Sequence, residues 1–247
     1  MQFMLALDVF LTKNLNCIMN YINKSLYITN HYNFFEKIVL KKRNEMASII
    51  KEEIKIHKLK IKNILDIGST NDGDSKSANH VVKNLGITKK INSITNKKIN
   101  SKIFNKILIK SITANLKKNI IKNYKADLVI SNATIEHVGK FDNQKKMIKN
   151  ISKLTKKIFF ISTPYKFFPI EVHTKIPLLH FLPKNIFRYV LKIFKLDFFS
   201  KEKNLNLLSI KDIQELSGNL KKNFHIKIKF VKTFFFISNI ILIGIKK

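Results

Sequence analysis

The sequence predicts an α/β fold in which a seven-stranded, mainly parallel sheet carries helices on both faces, preceded by an N-terminal helical extension. Three observations lead to this prediction. Residues 1–58 repeat apolar side chains at helical spacing. From residue 59, short β-branched runs alternate with helical segments, which is typical of a parallel sheet covered by helices. Two further strand-like runs then close the chain as a pair.

The N-terminal extension, residues 1–58, has a clear helical pattern. Phe35, Ile38, Val39, Met46 and Ile49 recur at helical spacing, with charged residues between them. The pattern predicts one helix near 34–54 and a second near 3–22. An amphipathic stretch this basic can lie on a membrane surface, but packing against the following domain is the interpretation we favour.

The seven strands are predicted in the second domain, residues 59–247. Each is a short apolar run, rich in β-branched residues and bounded by polar or turn residues. They span residues 61–67, 91–95, 106–112, 126–131, 157–162, 224–230 and 239–245.

The helices between the strands are predicted from the residues at their ends. Gly86 is placed to end a helix over 75–85 in a left-handed conformation, and Asp142 can cap a helix that runs to about residue 154. Ser209 and Asp212 resemble a capping box that opens a helix to about residue 216.

Residues 165–205 interrupt this alternation and are predicted to form a cap, rich in proline and aromatic residues. All four prolines of the chain lie between residues 164 and 183, together with His173 and His180. Proline fixes φ and breaks regular structure, so we expect an excursion here instead of another helix–strand unit. It starts at the carboxyl end of a predicted strand, where open α/β sheets bind ligands.

The formal net charge of +31 has two interpretations. One is a polyanionic partner, either nucleic acid or an anionic membrane surface. However, Arg43 and Arg188 are the only arginines among the 47 basic residues, and the lysines are spread along the whole chain. Because nucleic-acid recognition relies on arginine, the composition favours a residue-usage bias and argues against a nucleic-acid partner. Peripheral membrane contact stays open as an alternative.

The single cysteine, Cys17, indicates the cellular location. One cysteine excludes an internal disulfide and fits a reducing, cytoplasmic location. No basic segment precedes the first apolar residues, which argues against a secretory signal. The longest apolar run, residues 234–245, is short of the roughly 20 residues that span a bilayer. We therefore expect no transmembrane segment and interpret the run as a buried strand.

Polar residues follow three of the predicted strands. The segment ILDIGST, residues 64–70, ends a strand in a carboxylate and turns at a glycine, which lets the backbone pass close to a ligand. Taken alone, it can also be an ordinary strand–turn. The segment ADLVISNATIEHVG, residues 126–139, delivers a serine and an asparagine to the sheet edge and then a Glu-His pair on a short turn. The segment IFFISTP, residues 158–164, ends in small polar residues and a proline.

In this order and spacing, the three segments resemble the class I S-adenosylmethionine-dependent methyltransferases, whose fold is Rossmann-like. A closer resemblance is to a methyltransferase type 11-like bacterial subgroup of unassigned substrate. It is carried by TPYKFFPIEVHT (residues 163–174), PLLHFLP (177–183) and EKNLNLLS (202–209). The resemblance covers about residues 60–247, implies S-adenosyl-L-methionine as cofactor, and makes residues 59–247 the methyltransferase domain.

The resemblance also implies the cofactor-binding residues. The turn would hold the methionyl end of the cofactor, the end of the second strand would meet the ribose, and the end of the fourth strand would line the pocket. In that order, these residues are Asp66, Gly68, Ser69 and Thr70, then Asn96, then Ser131 and Asn132. The family usually places an acid where this chain has Asn96, and another near Ile112, where this chain has none.

The catalytic candidates are His137, Glu171 and His173, because each is predicted on a loop at the ligand edge. Methyl transfer from a sulfonium is an in-line displacement, so a protein mainly orients the reactants, although a hydroxyl acceptor also needs a base. Each of the three can equally stabilise its own loop. The aromatic residues of the cap can wall an apolar acceptor pocket or pack on the sheet; they are Tyr165, Phe167, Phe168 and Phe181.

No metal site is expected. The Glu136–His137 pair is similar to a turn of quinone-pathway O-methyltransferases, which bind a divalent metal with a further glutamate three residues earlier. In this chain that position is Ala133.

The leading hypothesis is a cytoplasmic methyltransferase that acts on a small-molecule acceptor, such as a lipid, a quinone-like compound or a sugar, by O-methylation among other chemistries. Two alternatives stay open. The charge motivates an RNA methyltransferase, and the acids missing at Asn96 and Ile112 motivate a non-catalytic protein of the same fold that binds a partner.

Overall fold

The computed structural model describes residues 29–75, 77–88 and 90–247, with side chains described from residue 36 onward. The chain divides into two compact units, Met1–Lys42 and Arg43–Lys247. The helix predicted near 34–54 is confirmed and is longer than expected, as α1 (Thr29–Ile56). The helix predicted near 3–22 lies outside the described residues, and the domain boundary at residue 58 stays a prediction.

All seven predicted strands form, and they belong to one sheet with the order β3-β2-β1-β4-β5-β7-β6. Most differ from the predicted bounds by a few residues, as is usual for strand ends. The strands are β1 Ile64–Ile67, β2 Ile91–Thr95, β3 Lys106–Ile109, β4 Ala126–Asn132, β5 Thr155–Pro164, β6 Phe224–Thr233 and β7 Phe236–Lys246.

Helices connect these strands on both sides of the sheet. After α1, the helices of the described residues are α2 His80–Leu85, α3 Lys118–Tyr124, α4 Phe141–Leu154, α5 Lys184–Ile193, α6 Asp197–Ser200 and α7 Ile210–Gly218. Short 3-10 turns cover Ile135–His137, Leu179–Phe181 and Asn219–Lys222.

Strand direction places the loops that matter for function at one edge of the sheet. Strands β1 to β5 pair in parallel, with Ile67 opposite both Ile94 and Ser131, and Asn132 opposite Ser162. Strand β7 is antiparallel to both β5 and β6. The loops after β1, β2, β4 and β5 therefore leave the sheet side by side, at the carboxyl ends of the parallel strands, where such sheets bind ligands.

Two hydrophobic cores lie on opposite faces of the sheet, because successive strand residues point to opposite sides. On one face, Leu65 and Val129 pack with α4 and α7. On the other, Ile64 and Leu128 pack with α2 and with residues 43–56 of α1. The prediction of a mainly parallel seven-stranded sheet with helices on both faces is confirmed.

Several helix ends differ from the prediction. Helix α2 begins at His80 instead of residue 75, because Asn79 takes the left-handed conformation with φ 53°; it ends at Gly86 with φ 60°, as predicted. Helix α4 is preceded by Lys140, so Asp142 lies in its first turn and is not its cap. The capping box at Ser209 is confirmed, since Ser209 and Asp212 bond reciprocally.

The interpretation of residues 234–245 as one buried strand is wrong at its start. Phe234 has φ 54° and is 81% exposed, and Phe235 is 95% exposed, because these residues form the turn between β6 and β7. Burial begins further along, with Ile240–Ile243 in the core. Among the described residues, no helix has the length and apolar character that crossing a bilayer requires.

Residues 165–205 leave the sheet after β5 and return beside it, where Tyr165 bridges Leu208. The segment contains α5 and α6, which the sequence did not predict as helices, and Pro183 immediately precedes α5. We call residues 165–205 the cap.

Candidate functional site at the carboxyl edge of the sheet

Asp66 lies at the centre of a buried hydroxyl network near the end of β1. The Ser69 hydroxyl donates to the Asp66 carboxylate, and the Ser93 hydroxyl donates to Ser69 Oγ at 2.7 Å. Burial raises the pKa of Asp66 to about 6, and the bond from Ser69 offsets only part of this effect. Among the described residues no basic side chain pairs with Asp66, so a positively charged ligand would favour its ionised form.

Ser93 supports this network, and sequence reasoning did not select it. The Thr95 hydroxyl adds a bond to the Ser69 carbonyl oxygen at 3.1 Å. Both residues lie on β2, two positions apart, so their side chains point to the same face. Two hydroxyl residues at this spacing within a predicted strand were the signal available in the sequence.

Gly68 is required by a neighbouring side chain. Its φ is +87°, and a Cβ at this position would lie 2.2 Å from Thr134 Oγ1. The Thr134 hydroxyl in turn lies 3.2 Å from the carbonyl oxygens of Ile67 and Asn132, within bonding reach of both. The predicted reason for the glycine was close passage of a ligand, whereas the group that approaches it in this structure is Thr134.

The loop after β1 is held by bonds of its own and by a bond to the loop after β2. Within the loop after β1, Asn79 donates to the carbonyl oxygen of Thr70 at 2.8 Å and accepts from the Thr70 N–H at 3.1 Å. Between the two loops, Asn71 Oδ1 accepts from the Asn100 N–H at 2.8 Å. Thr70 and Asn96, two of the predicted cofactor residues, are exposed on these two loops.

Ser131 and Asn132, the other predicted cofactor residues, connect β4 to its neighbours. Ser131 is buried and donates to the carbonyl oxygen of Ile67 at 3.2 Å. Asn132 is half-buried and accepts from the Ser162 hydroxyl at 2.6 Å. Ser131 therefore supports the β1 turn from inside the sheet, and Asn132 is the one placed at the edge.

The turn after β4 carries a buried glutamate next to a half-buried histidine. Glu136 Oε2 accepts from the Thr163 hydroxyl at 3.0 Å, while Oε1 has no hydrogen-bond partner among the described residues. His137 Nδ1 lies 2.6 Å from the carbonyl oxygen of Asn204. Because a carbonyl only accepts, Nδ1 carries the hydrogen and Nε2 is left as the free nitrogen.

Glu171 and His173 form a tight pair within the cap. The Glu171 carboxylate is buried and accepts from His173 Nδ1 at 2.7 Å and from the Thr174 N–H at 2.5 Å. Burial alone would raise the pKa of Glu171, but the hydrogen bonds and charge of His173 outweigh it and lower that pKa to about 2. Burial lowers the pKa of His173, but its bond to Glu171 outweighs this effect and raises it.

The cap brings this pair onto the turn after β4. The rings of His137 and His173 meet edge to face, with centroids 4.6 Å apart. Glu136, His137 and His173 each offer one ligand atom, and these atoms lie within 4.8 Å of one another. The structure thus joins the three predicted catalytic residues, His137, Glu171 and His173, and adds Glu136, to which sequence analysis gave no role.

One aromatic ring of the cap packs on this cluster, and other aromatic rings of the cap contact one another. Phe199 lies against His173, with ring centroids 5.9 Å apart, and was not predicted. Among the predicted aromatics, Phe167 contacts both Tyr165 and Phe181, and Phe167 and Phe181 are each 44% exposed. These rings are therefore partly available to a ligand.

No protein-family model and no curated protein matches the sequence. Solved structures do match by fold. An S-adenosylmethionine-dependent methyltransferase from Clostridium acetobutylicum is similar with TM-score 0.53 and 13% identity, over 87% of this chain and 98% of that one. A small RNA methyltransferase is similar with TM-score 0.51 and 14% identity, over 84% of this chain and 25% of that one. A 1,6-didemethyltoxoflavin-N1-methyltransferase from Burkholderia thailandensis has TM-score 0.49 and 9% identity, over 95% of this chain and 90% of that one. The chain has the class I methyltransferase fold.

Proposed function

We propose that this protein is an enzyme that transfers a methyl group from S-adenosyl-L-methionine to a small-molecule acceptor. One observation carries the proposal: the carboxyl edge of the sheet bears both the buried carboxylate of Asp66 and the cluster of Glu136, His137 and His173. The first suits a cationic cofactor, and the second can bind and activate an acceptor group. Fold similarity supports the arrangement of strands and helices that positions the site, but it does not by itself assign an activity.

The residues at the edge fit the cofactor best at its cationic end. Asp66 is a buried carboxylate without a basic partner among the described residues, so a positive ligand would offset its desolvation. Thr70 is exposed on the turn proposed to hold the methionyl end, Asn96 is exposed where the ribose would be met, and Asn132 offers an amide at the edge. Bound there, S-adenosyl-L-methionine supplies an electrophilic methyl group.

The acceptor is proposed to bind between the turn after β4 and the cap, where His137, Glu171 and His173 would hold and activate it. His173 is recessed, with 18% of its side chain exposed, between Glu171 and Phe199. This recess suits a small group better than a large surface, and the scarcity of arginine argues against RNA.

Labelled methyl transfer into a fractionated cell extract tests this function. We expect label from S-adenosylmethionine to enter the lipid or low-molecular-weight fraction, and His173→Gln to abolish most of it. His225→Gln, an exposed histidine of β6, is the matched control and should retain full transfer. Label in the RNA fraction would contradict a small-molecule acceptor. A protein that binds the cofactor and labels nothing would favour the non-catalytic alternative.

We also propose that the enzyme works in the cytoplasm and contacts anionic membranes through the turn between β6 and β7. Phe234 and Phe235 are almost fully exposed there, beside the exposed Lys232, on a chain with net charge +31. Exposed aromatic residues next to basic charge are typical of membrane-surface segments. The single cysteine supports a reducing compartment.

Sedimentation with vesicles tests the membrane contact. The protein should sediment with vesicles that contain phosphatidylserine and much less with phosphatidylcholine alone. Replacing Phe234 and Phe235 by serine should remove the difference, whereas Phe198→Ser, an exposed phenylalanine of α6, should not. Equal sedimentation of all three proteins would refute a contact through this turn.

A further inference from the structure

We propose that Glu136, His137 and His173 bind a divalent transition-metal ion, which holds the oxygen of a hydroxyl acceptor. Their ligand atoms lie within 4.8 Å of one another. Ligands at about 2.1 Å from a metal ion lie roughly 3 to 3.5 Å apart, so shifts of about 1 Å in these side chains bring them into coordination.

Glu136 provides an observation that points to a ligand independently of this spacing. Its side chain is fully buried, and Thr163 satisfies only Oε2. Oε1 has no hydrogen-bond partner among the described residues and lies 4.0 Å from His137 Nε2. A buried carboxylate oxygen without a partner is costly, and a cation between it and the two histidines supplies the missing partner.

Both histidines are held in the orientation that metal ligands need. His137 Nδ1 donates to the Asn204 carbonyl at 2.6 Å, and His173 Nδ1 donates to Glu171 at 2.7 Å. Each bond fixes the ring and leaves Nε2 for coordination, as outer carbonyl and carboxylate partners do at known metal sites. Glu171 is therefore a positioning residue for His173.

The donor set selects the class of metal. Calcium and magnesium prefer all-oxygen ligands, whereas two imidazoles with one carboxylate suit zinc, manganese, iron or cobalt as divalent ions. Three protein ligands leave coordination positions open for other molecules. Sequence analysis predicted no metal site because Ala133 lies where a further glutamate ligand was expected. The third ligand comes instead from the cap, far along the chain.

The chemistry of this site rests on the proposed methyl transfer. A hydroxyl bound to the metal loses its proton to solvent more readily, because the cation lowers its pKa. The acceptor oxygen then forms a bond to the methyl carbon as the carbon–sulfur bond breaks. The electron pair of that bond stays on sulfur, which leaves neutral S-adenosylhomocysteine and a methylated hydroxyl.

Cobalt titration of the chelator-treated protein tests the site directly. We expect visible absorption that saturates at one Co²⁺ per chain, and competition by Zn²⁺. His173→Gln should weaken binding by at least about 100-fold, and Glu171→Gln by roughly 10- to 100-fold, the usual range for an outer partner. His225→Gln, outside the cluster, should bind like the parent. Glu136→Gln tests the carboxylate ligand. Should this variant fail to fold, His137→Gln, at a half-buried residue, tests the same site.

Two results overturn the metal site: no saturable binding of Co²⁺ or Zn²⁺ by the folded protein, or equal affinity in His173→Gln and His225→Gln. A separate titration with S-adenosylhomocysteine, in chelator, distinguishes this failure from failure of the proposed function. Cofactor binding without metal binding overturns the metal site alone. Metal binding without cofactor binding supports the metal site and contradicts the methyltransferase proposal.

Discussion

Asp66 is the residue whose surroundings say most about the ligand. Its carboxylate is buried and bonded to Ser69, and the resulting pKa of about 6 is well above that of a solvated aspartate. Groups with pKa values displaced by burial concentrate at functional sites, because a ligand can repay their cost. A cationic ligand does so by pairing with the charge.

Replacing Asp66 by asparagine should stabilise the unliganded protein at neutral and higher pH. The pKa of Asp66 in the folded state exceeds its value of about 3.9 in the unfolded chain. The favourable contribution of protonated Asp66 to the free energy of unfolding is therefore complete below the unfolded pKa and is lost as pH rises through about 6. The variant should gain up to about 3 kcal/mol near pH 8 and less near pH 5.

Urea unfolding at the two pH values measures this gain, with Asp74→Asn, an exposed aspartate, as the control. A gain of the same size at both pH values, or none at either, would contradict a buried and ionisable Asp66.

At the residue scale, the sequence could predict those site residues that lie at the carboxyl end of a strand or in the turn after it. Asp66 and His137 are examples, because the carboxyl ends of parallel strands share the edge of the sheet where ligands bind. The contact of Thr134 with Gly68, and that of Ser93 with Ser69, depend on how neighbouring strands are spaced in three dimensions. No local pattern records that spacing.

At the scale of elements, the contact between β5 and β7 shows how tightly the sheet is packed. Gly244 pairs with Phe159 across the two strands, and a Cβ on Gly244 would lie 2.1 Å from the Phe159 ring. The ring is fully buried and packs edge to face on Phe224, with centroids 5.2 Å apart, so it has little room to move.

Gly244→Ala should therefore lower the free energy of unfolding by about 1–3 kcal/mol, the usual cost of overpacking. Gly218→Ala is the matched control, because Gly218 is helical and a Cβ there meets nothing within 4 Å. It should leave stability unchanged or raise it by about 0.4–1 kcal/mol. Equal effects in the two variants, measured by thermal or urea unfolding, would contradict this packing.

Elements were predictable where the sequence carries a strong pattern and less so elsewhere. The seven strands have apolar runs, and Ser209 has its capping partner, so both were found. Helix α3 was not predicted because its seven residues are too few to show a repeating apolar pattern, although Ile120, Ile121 and Tyr124 pack partly buried against the core. The run at Phe234 was misinterpreted because three consecutive phenylalanines resemble a core strand, whereas Phe234 and Phe235 form an exposed turn and Phe236 begins β7.

At the scale of the whole molecule, the net charge of +31 sets the solution behaviour. Charge of one sign repels itself in the compact state and is screened by salt. Stability should therefore rise as sodium chloride is raised from about 0.05 to 0.5 M. Lys118→Glu should raise stability at low salt by about 0.3–1 kcal/mol, since Lys118 is exposed at the start of α3, where a negative charge is favoured.

Thermal unfolding across this salt series is the measurement, and the Lys118→Glu variant should show a smaller salt dependence than the parent. A melting temperature that falls with salt in the parent would contradict self-repulsion as a main term in its stability.

Calorimetric titration of the purified protein with S-adenosylmethionine and S-adenosylhomocysteine tests directly whether this chain binds the methyl donor. We expect saturable binding at one site per chain. S-adenosylmethionine should bind at least about tenfold more weakly to Asp66→Asn, since a charge-assisted contact is worth about 1.5–3 kcal/mol. No binding to the folded parent protein, or undiminished binding to the variant, would contradict this expectation.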